Sequence, residues 1–318
     1  MKSSNIGGQA VMEGIMMRHK DVYSVAVRKP DKEIEVKVED YKSVVKCKSL
    51  QKLPILRGVF SFIDSLVVGT KCLMYSATFF EDEEDLKKRE QLEGEEKEKE
   101  LAKKEKADKA LMTGTVILSV VLSVGLFIVL PYLLASLLRN IGVSETGVTL
   151  AEAGVRIVLF LAYMLLISKM QDIQRVFMYH GAEHKSIACY EAGKELTVEN
   201  VRESCRFHPR CGTSFIFVML IFSIIFSTVL SKIFPSIAQV RVLWMLLKLA
   251  FIPLLMGVGY EFIKYAGKHD NLLVKILSAP GLWMQRLTTK EPTDDIIEVG
   301  IESLKAVITD NPEDDEIK

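Results

Sequence analysis

The segment H-G-A-E-H at 180–184 combines residue types that bind a divalent metal with one that moves a proton. It fits H-x-x-E-H, the zinc-binding pattern of inverzincin metalloproteases. Histidines four apart project from one helical face, so His180 and His184 can share an ion. Glu183 lies one turn from His180, placed to hold a water and take its proton. Ile173, Phe177, His180, His184 and Ile187 fall on one helical stripe, which turns both histidines toward a packed interior. The same stripe admits a plainer reading, two core histidines satisfied by hydrogen bonds.

A zinc site needs a third protein ligand. Glu191 shares the stripe but lies roughly 10 Å beyond His184 on a straight helix, too far to join the same ion. Glu261, an ionisable residue near the end of an apolar segment, is a downstream carboxylate candidate. His208 and Cys211 in C-R-F-H-P-R-C-G-T-S-F at 205–215 are the others. Three protein ligands plus water imply catalysis, whereas four close the site and make it structural. Arg206 and Arg210 precede Gly212, Thr213 and Ser214, where an apolar segment begins. Free N–H groups at a helix start beside two guanidiniums favour an anion, a phosphate headgroup or a substrate carboxylate. Capping and electrostatic anchoring of that segment explain the same residues.

The elements that must position these groups are mostly apolar helices. The chain has 318 residues, 49% of them hydrophobic and 26% charged, with a mean hydropathy of +0.22. Such values coexist when charged and apolar residues occupy separate blocks. Net charge is zero, so nothing argues for a nucleic-acid partner. Five cysteines without a secretory leader favour reduced thiols or metal ligation over disulfides.

Residues 1–49 read as a small β-containing module, with alternating strands around Pro30-Asp31-Lys32 forming a hairpin. Residues 50–80 are apolar but interrupted by Arg57, Asp64 and Lys71, which suits an interfacial or re-entrant helix, or one packed in a soluble domain. Residues 81–112 form a charged linker. Membrane spans are expected at 113–138, 149–168, 214–234 and 242–263. Lys and Arg are concentrated before the first span, in the 169–213 His/Cys loop and after the fourth. That bias places both termini and the loop in the cytoplasm. Residues 264–318 form an amphipathic cytoplasmic region with an acidic end. The expected fold is therefore mainly α and integral to the cell membrane, multi-pass, with about four spans.

Several stretches together resemble one family. They are G-G-Q-A-V-M-E-G-I-M-M-R at 7–18, Y-H-G-A-E-H-K at 179–185, L-T-V-E-N-V at 196–201, H-P-R-C-G-T-S-F at 208–215 and P-G-L-W-M-Q-R-L-T-T-K-E-P at 280–292. The chain is similar to the bacterial YqhQ-like membrane proteins, a domain of unknown function predicted to comprise metal-dependent enzymes. The resemblance implies a multi-pass membrane protein and directs attention to His180, Glu183, His184, His208 and Cys211. The leading expectation is a zinc-dependent hydrolase in the bilayer, acting on membrane-protein segments or lipid-linked molecules. Its rival is a non-enzymatic assembly or regulatory factor for other membrane proteins, with the His/Cys cluster as a structural metal site. Transport ranks below both, because the spans hold few charges.

Overall fold

A computed structural model describes residues 4–45, 50, 52–80, 95–208, 210–234, 236–237, 240–267, 269 and 271–309. Cys47, the first half of the charged linker and the acidic end lie outside the described residues. The chain divides into two compact units, Met1–Phe79 with Met164–Lys318, and Phe80–Tyr163.

The first unit is built on a four-stranded antiparallel meander, β1 (Gly7–Val11), β2 (Gly14–His19), β3 (Val22–Arg28) and β4 (Ile34–Asp40), in that spatial order. The sequence pattern predicts only the β3–β4 hairpin, whose turn the structure keeps, with Lys29 and Glu33 paired and Lys32 left-handed. Two further strands precede it. β2 escapes the alternation rule because it is buried on both faces, and a strand covered twice reads as continuous apolar sequence, while β1 is made mostly of small or polar residues, G-G-Q-A-V. Their turns, Met12-Glu13 and Lys20-Asp21, carry Glu13 and Lys20 at positive φ (48° and 50°), without the Gly or Asn that usually marks such hairpins.

Helix α1 (Leu56–Ala77) covers the sheet face bearing Gln9, Tyr23 and Val25. The opposite face, carrying Ile15, Met17 and Ala26, packs on α5 (Gln171–Glu191) and α11 (Asp294–Lys305) through Tyr179, Ala182, Ile187, Ile296, Val299 and Leu304. Ser24 and Ser303 share a buried hydrogen bond of 2.9 Å across this seam. The arrangement is three layers, helix on sheet on helices. Short helix α6 (Val198–Glu203) is capped by Thr197, whose Oγ1 accepts from the Asn200 N–H at 3.3 Å, and inserts Val201 beside Ile297. This accounts for the T-V-E-N-V string.

From this unit also come α7 (Gly212–Ile233), α8 (Arg241–Ala250), α9 (Ile252–Ala266) and α10 (Leu272–Thr288). α7 and α9 pack through Phe222 against Phe262 and through Gly259, where a Cβ would sit 2.7 Å from the Met219 sulfur.

In the second unit, α2 (Glu95–Val124) runs without a break from charged sequence into apolar sequence. A π-helical turn (Gly125–Val129) leads to α3 (Leu130–Ser136), and α4 (Glu145–Ile167) returns after Gly142. The widened turn leaves the Phe127 carbonyl available, and Arg156 donates to it at 2.9 Å while pairing with Glu152 at 2.6 Å.

Among the described residues, five helical stretches are long and apolar enough to cross a membrane, 56–80, 110–141, 145–167, 215–233 and 242–266. Four coincide with the spans expected from sequence. The additional one is the 50–80 segment, whose helix continues through Asp64 and Lys71 because Asp64 is buried against Tyr41 Oη (2.6 Å) and the Val44 N–H (2.8 Å).

Candidate metal centre

Helix α5 carries His180, Glu183 and His184 along one side, and the start of α7 brings Cys211 against them. The ligating atoms of His180, His184 and Cys211 all lie within 4.8 Å of one another. The two imidazoles are 4.4 Å apart between ring centres. His180 Nδ1 is 2.9 Å from the Thr288 carbonyl oxygen, and His184 Nδ1 is 2.6 Å from that of Arg206. A carbonyl only accepts, so each Nδ1 carries the hydrogen and each Nε2 keeps its lone pair. His180 Nε2 approaches Cys211 Sγ at 3.3 Å. Burial holds His184 below its ordinary pKa, against the opposing contact with Cys211, which favours the neutral ligand form.

Glu183 is 5% exposed, and its Oε2 has no hydrogen-bond partner. Burial pushes its carboxyl up to about 7, opposed by the neighbouring His180 and the Gly8 N–H. The close approach of strand β1 needs glycine. A Cβ on Gly8 would come within 2.9 Å of the Glu183 carboxyl carbon. Gly181 is equally constrained, since its Cβ would run into the Lys290 carbonyl oxygen. Together these groups line a cavity of about 110 Å³ bounded by Ile6, Gly8, Ile187, His208 and Arg210.

The other residues singled out by sequence lie around this centre or apart from it. His208 lines the cavity with its ring 5.7 Å from that of His184. Its backbone is clasped by Gln285, which accepts from the His208 N–H at 2.8 Å and donates to its carbonyl at 2.7 Å. Its Nδ1 accepts from the Arg210 N–H at 3.3 Å, and Nε2 lies 3.6 Å from Glu191. Glu191 is thus an anchor rather than a ligand. It also accepts from the Ser4 N–H (2.6 Å) and hydroxyl (2.8 Å) and pairs with Arg210. Burial raises the Glu191 carboxyl, but His208, Arg210 and Ser4 outweigh it and bring it down to about 2.

Glu261 corrects the sequence expectation. Its carboxylate pairs with Arg57 of α1 and accepts from the Ile55 N–H at 3.3 Å, away from the cavity lining. The carboxylate is taken by a guanidinium from a segment far away in sequence, which no local pattern announces. The two guanidiniums proposed for an anion are both ion-paired, Arg206 with Glu291 at 2.6 Å and Arg210 with Glu191. Thr213 Oγ1 touches Cys211 Sγ at 3.2 Å, and Ser214 lies in the first turn of α7.

Sequence reasoning missed the groups that orient the histidines. Carbonyls carry no residue signature, and only the strings containing Arg206 and Thr288 marked their neighbourhood. Glu13, which the sequence marks only as part of the 7–18 stretch, pairs with Arg175 and accepts from the Tyr179 hydroxyl at 3.2 Å, tying the β1–β2 turn to α5.

These features define a mainly helical protein with several helices of membrane-spanning length and a His/His/Cys group beside a buried glutamate. The chain matches the family model described as "Protein of unknown function (DUF1385)" over residues 53–310, and it belongs to that family. It is 37% identical over 308 residues to the uncharacterized protein YqhQ of Bacillus subtilis (strain 168), covering 95% of this chain and 92% of that one. No solved structure matches.

Proposed function

We propose that the protein is a membrane-embedded, metal-dependent hydrolase with its centre facing the cytoplasm. The observation that carries this reading is the buried Glu183 carboxylate, with one unpartnered oxygen, in the same cavity as three convergent metal-binding side chains. His180 and His184 would hold zinc through Nε2, each oriented by its Nδ1–H on a carbonyl, and Cys211 would be the third ligand as thiolate. Zinc in such a three-ligand site supplies Lewis acidity, lowering the pKa of water toward neutrality.

Glu183 is suited to the proton transfers of hydrolysis. With its pKa near 7 it can take a proton from the attacking water at Oε2 and return it to the leaving group. Glycine at position 8 lets the strand backbone reach its carboxylate without a side chain in the way. Ile6 and Ile187 add an apolar portion to the cavity wall, beside which charge interactions are stronger than in water. The cytoplasmic orientation is supported by the Lys and Arg bias of the flanking segments, and the bilayer setting favours membrane-protein segments or lipid-linked molecules as substrates.

The second reading, a structural metal site in an assembly factor, is favoured by His208. This buried imidazole borders the same cavity, and on turning its Nε2 from Glu191 it would close the coordination as a fourth ligand.

Metal content of the detergent-purified full-length protein tests both. Stoichiometric zinc is expected in the wild type, lost in His184→Ala and retained in Glu183→Gln. A wild type without stoichiometric metal overturns both readings. A Glu183→Gln variant that keeps metal but loses the cellular phenotype of the wild type supports the hydrolase, and one with full function supports the structural site.

A further inference from the structure

We infer that α1 does not cross the membrane. It is a surface-bound helix whose outward apolar face rests in the lipid of the same leaflet surface that carries the sheet and the metal centre. This inference is independent of whether the cavity binds metal.

Two observations carry it. The first is a parity argument. Between the sheet and α5 the chain passes three of the five helices of membrane-spanning length among the described residues, 56–80, 110–141 and 145–167. The sheet and α5 form one packed core, so they lie on one side of the membrane. An even number of crossings must separate them, and three is odd. Helix α1 is the one that stays. From Asp64 onward it is held by the sheet and its flanking turns, where Asp64 accepts from Tyr41, Ser76 Oγ accepts from the Met12 N–H at 3.2 Å, and a Cβ on Gly69 would strike Gln9. A helix engaged by an aqueous sheet over these turns cannot span a hydrocarbon core about 30 Å thick at the same time.

The second observation is that α1 is inside-out. The residues it buries are small or polar, Gly58, Asp64, Gly69, Cys72 and Ser76, with Val68 the one sizeable aliphatic among them. Those it exposes include Leu56, Ile63, Leu66 (55%), Val67 and Leu73 (45%). At 100° per residue these outward side chains share one face, opposite the buried one. A water-facing helix would invert this distribution, whereas lipid accepts it. Continuity with the membrane-spanning helices names the occupant. The start of α1 packs on α9, where a Cβ on Gly58 would meet Gly257 at 3.0 Å and Arg57 pairs with Glu261. The helix therefore leaves the flank of a membrane-length helix and continues beneath the sheet, its outward face toward the interface.

The test uses the full chain reconstituted in phosphatidylcholine/phosphatidylglycerol vesicles, with Cys47 and Cys205 replaced by Ser. Lys20→Cys on the sheet, Lys106→Cys before the next apolar helix and Ser144→Cys in the following loop are each treated with a membrane-impermeant maleimide. Lys20→Cys and Lys106→Cys should label from the same side and Ser144→Cys from the other. Labelling of Lys20→Cys and Lys106→Cys from opposite sides would show that α1 crosses and overturn the inference. Spin labels at Leu66→Cys and Leu73→Cys then identify what covers the face. Collision with oxygen but protection from an aqueous nickel complex supports lipid. Access to nickel means water, and exclusion of both means a protein partner; either result overturns the lipid contact.

Discussion

Helices α5 and α1 cover opposite faces of the same small sheet and distribute their side chains in opposite ways. α5 directs its functional groups inward, burying Glu183, His184 and Lys185 among carbonyls and counter-charges. α1 directs mostly small or polar residues inward, Val68 excepted, and leaves Leu56, Ile63, Leu66, Val67 and Leu73 outside. The imidazoles are tolerated on α5 because their Nδ1 atoms have carbonyl partners, and Glu183 Oε2 is a buried atom there left without one. An exposed leucine row is tolerated on α1 only where the surroundings are apolar. One helix is thus organised around what it encloses and the other around what it rests on.

The comparison predicts where substitutions matter. The largest effect is expected at Gly181 of α5. An alanine there drives a Cβ into the Lys290 backbone, separating α5 from the segment that orients His180. Gly181→Ala should cost about 3 kcal/mol in thermal unfolding of the detergent-purified protein, and zinc content should fall with it. Next comes the polar seam of α1. Asp64→Ala leaves the Tyr41 hydroxyl and the Val44 N–H without their acceptor, for a loss of about 2 kcal/mol.

A smaller, pH-dependent loss is expected for Glu191→Gln. The Glu191 carboxyl titrates near 2 in the folded protein against an ordinary 4.5. A depressed carboxylate stabilises the fold above the ordinary value, and that contribution disappears as pH falls through the folded one. The stability gap between wild type and Glu191→Gln, read from unfolding midpoints, should be constant above pH 4.5 and shrink steadily toward pH 2. A gap that instead widened on acidification would show that Arg210 and His208 do not hold the carboxylate charged. The smallest effect is expected on the outward face of α1. Leu66→Ala should change unfolding in detergent by less than about 0.5 kcal/mol. A loss comparable to Asp64→Ala would break the contrast between the two helices.

Local spacing made α5 legible. His180, Glu183 and His184 lie within one and a half turns, so their shared side follows from helix geometry alone. The third member was not legible in this way, because Cys211, His208 and Glu261 are all distant in sequence and all chemically suitable. Only packing separates them. Gln285 and Glu191 hold His208, Arg57 takes Glu261, and the start of α7 delivers Cys211. The first two strands were hidden for other local reasons, since two-sided burial erases alternation in β2, β1 is mostly small or polar residues, and their turns lack glycine.

The sequence by itself determined the apolar segments and the helix with its histidine pair, because hydrophobic content and the 3.6-residue period are local quantities. It also marked Gly8 and Glu13 within one motif without saying what they approach. Tertiary structure alone decided which side chain joins the histidines, that one oxygen of Glu183 is left without a partner beside them, and which face of α1 is left outside. Those outcomes depend on competition among partners brought together from remote parts of the chain, and no local pattern encodes the winner.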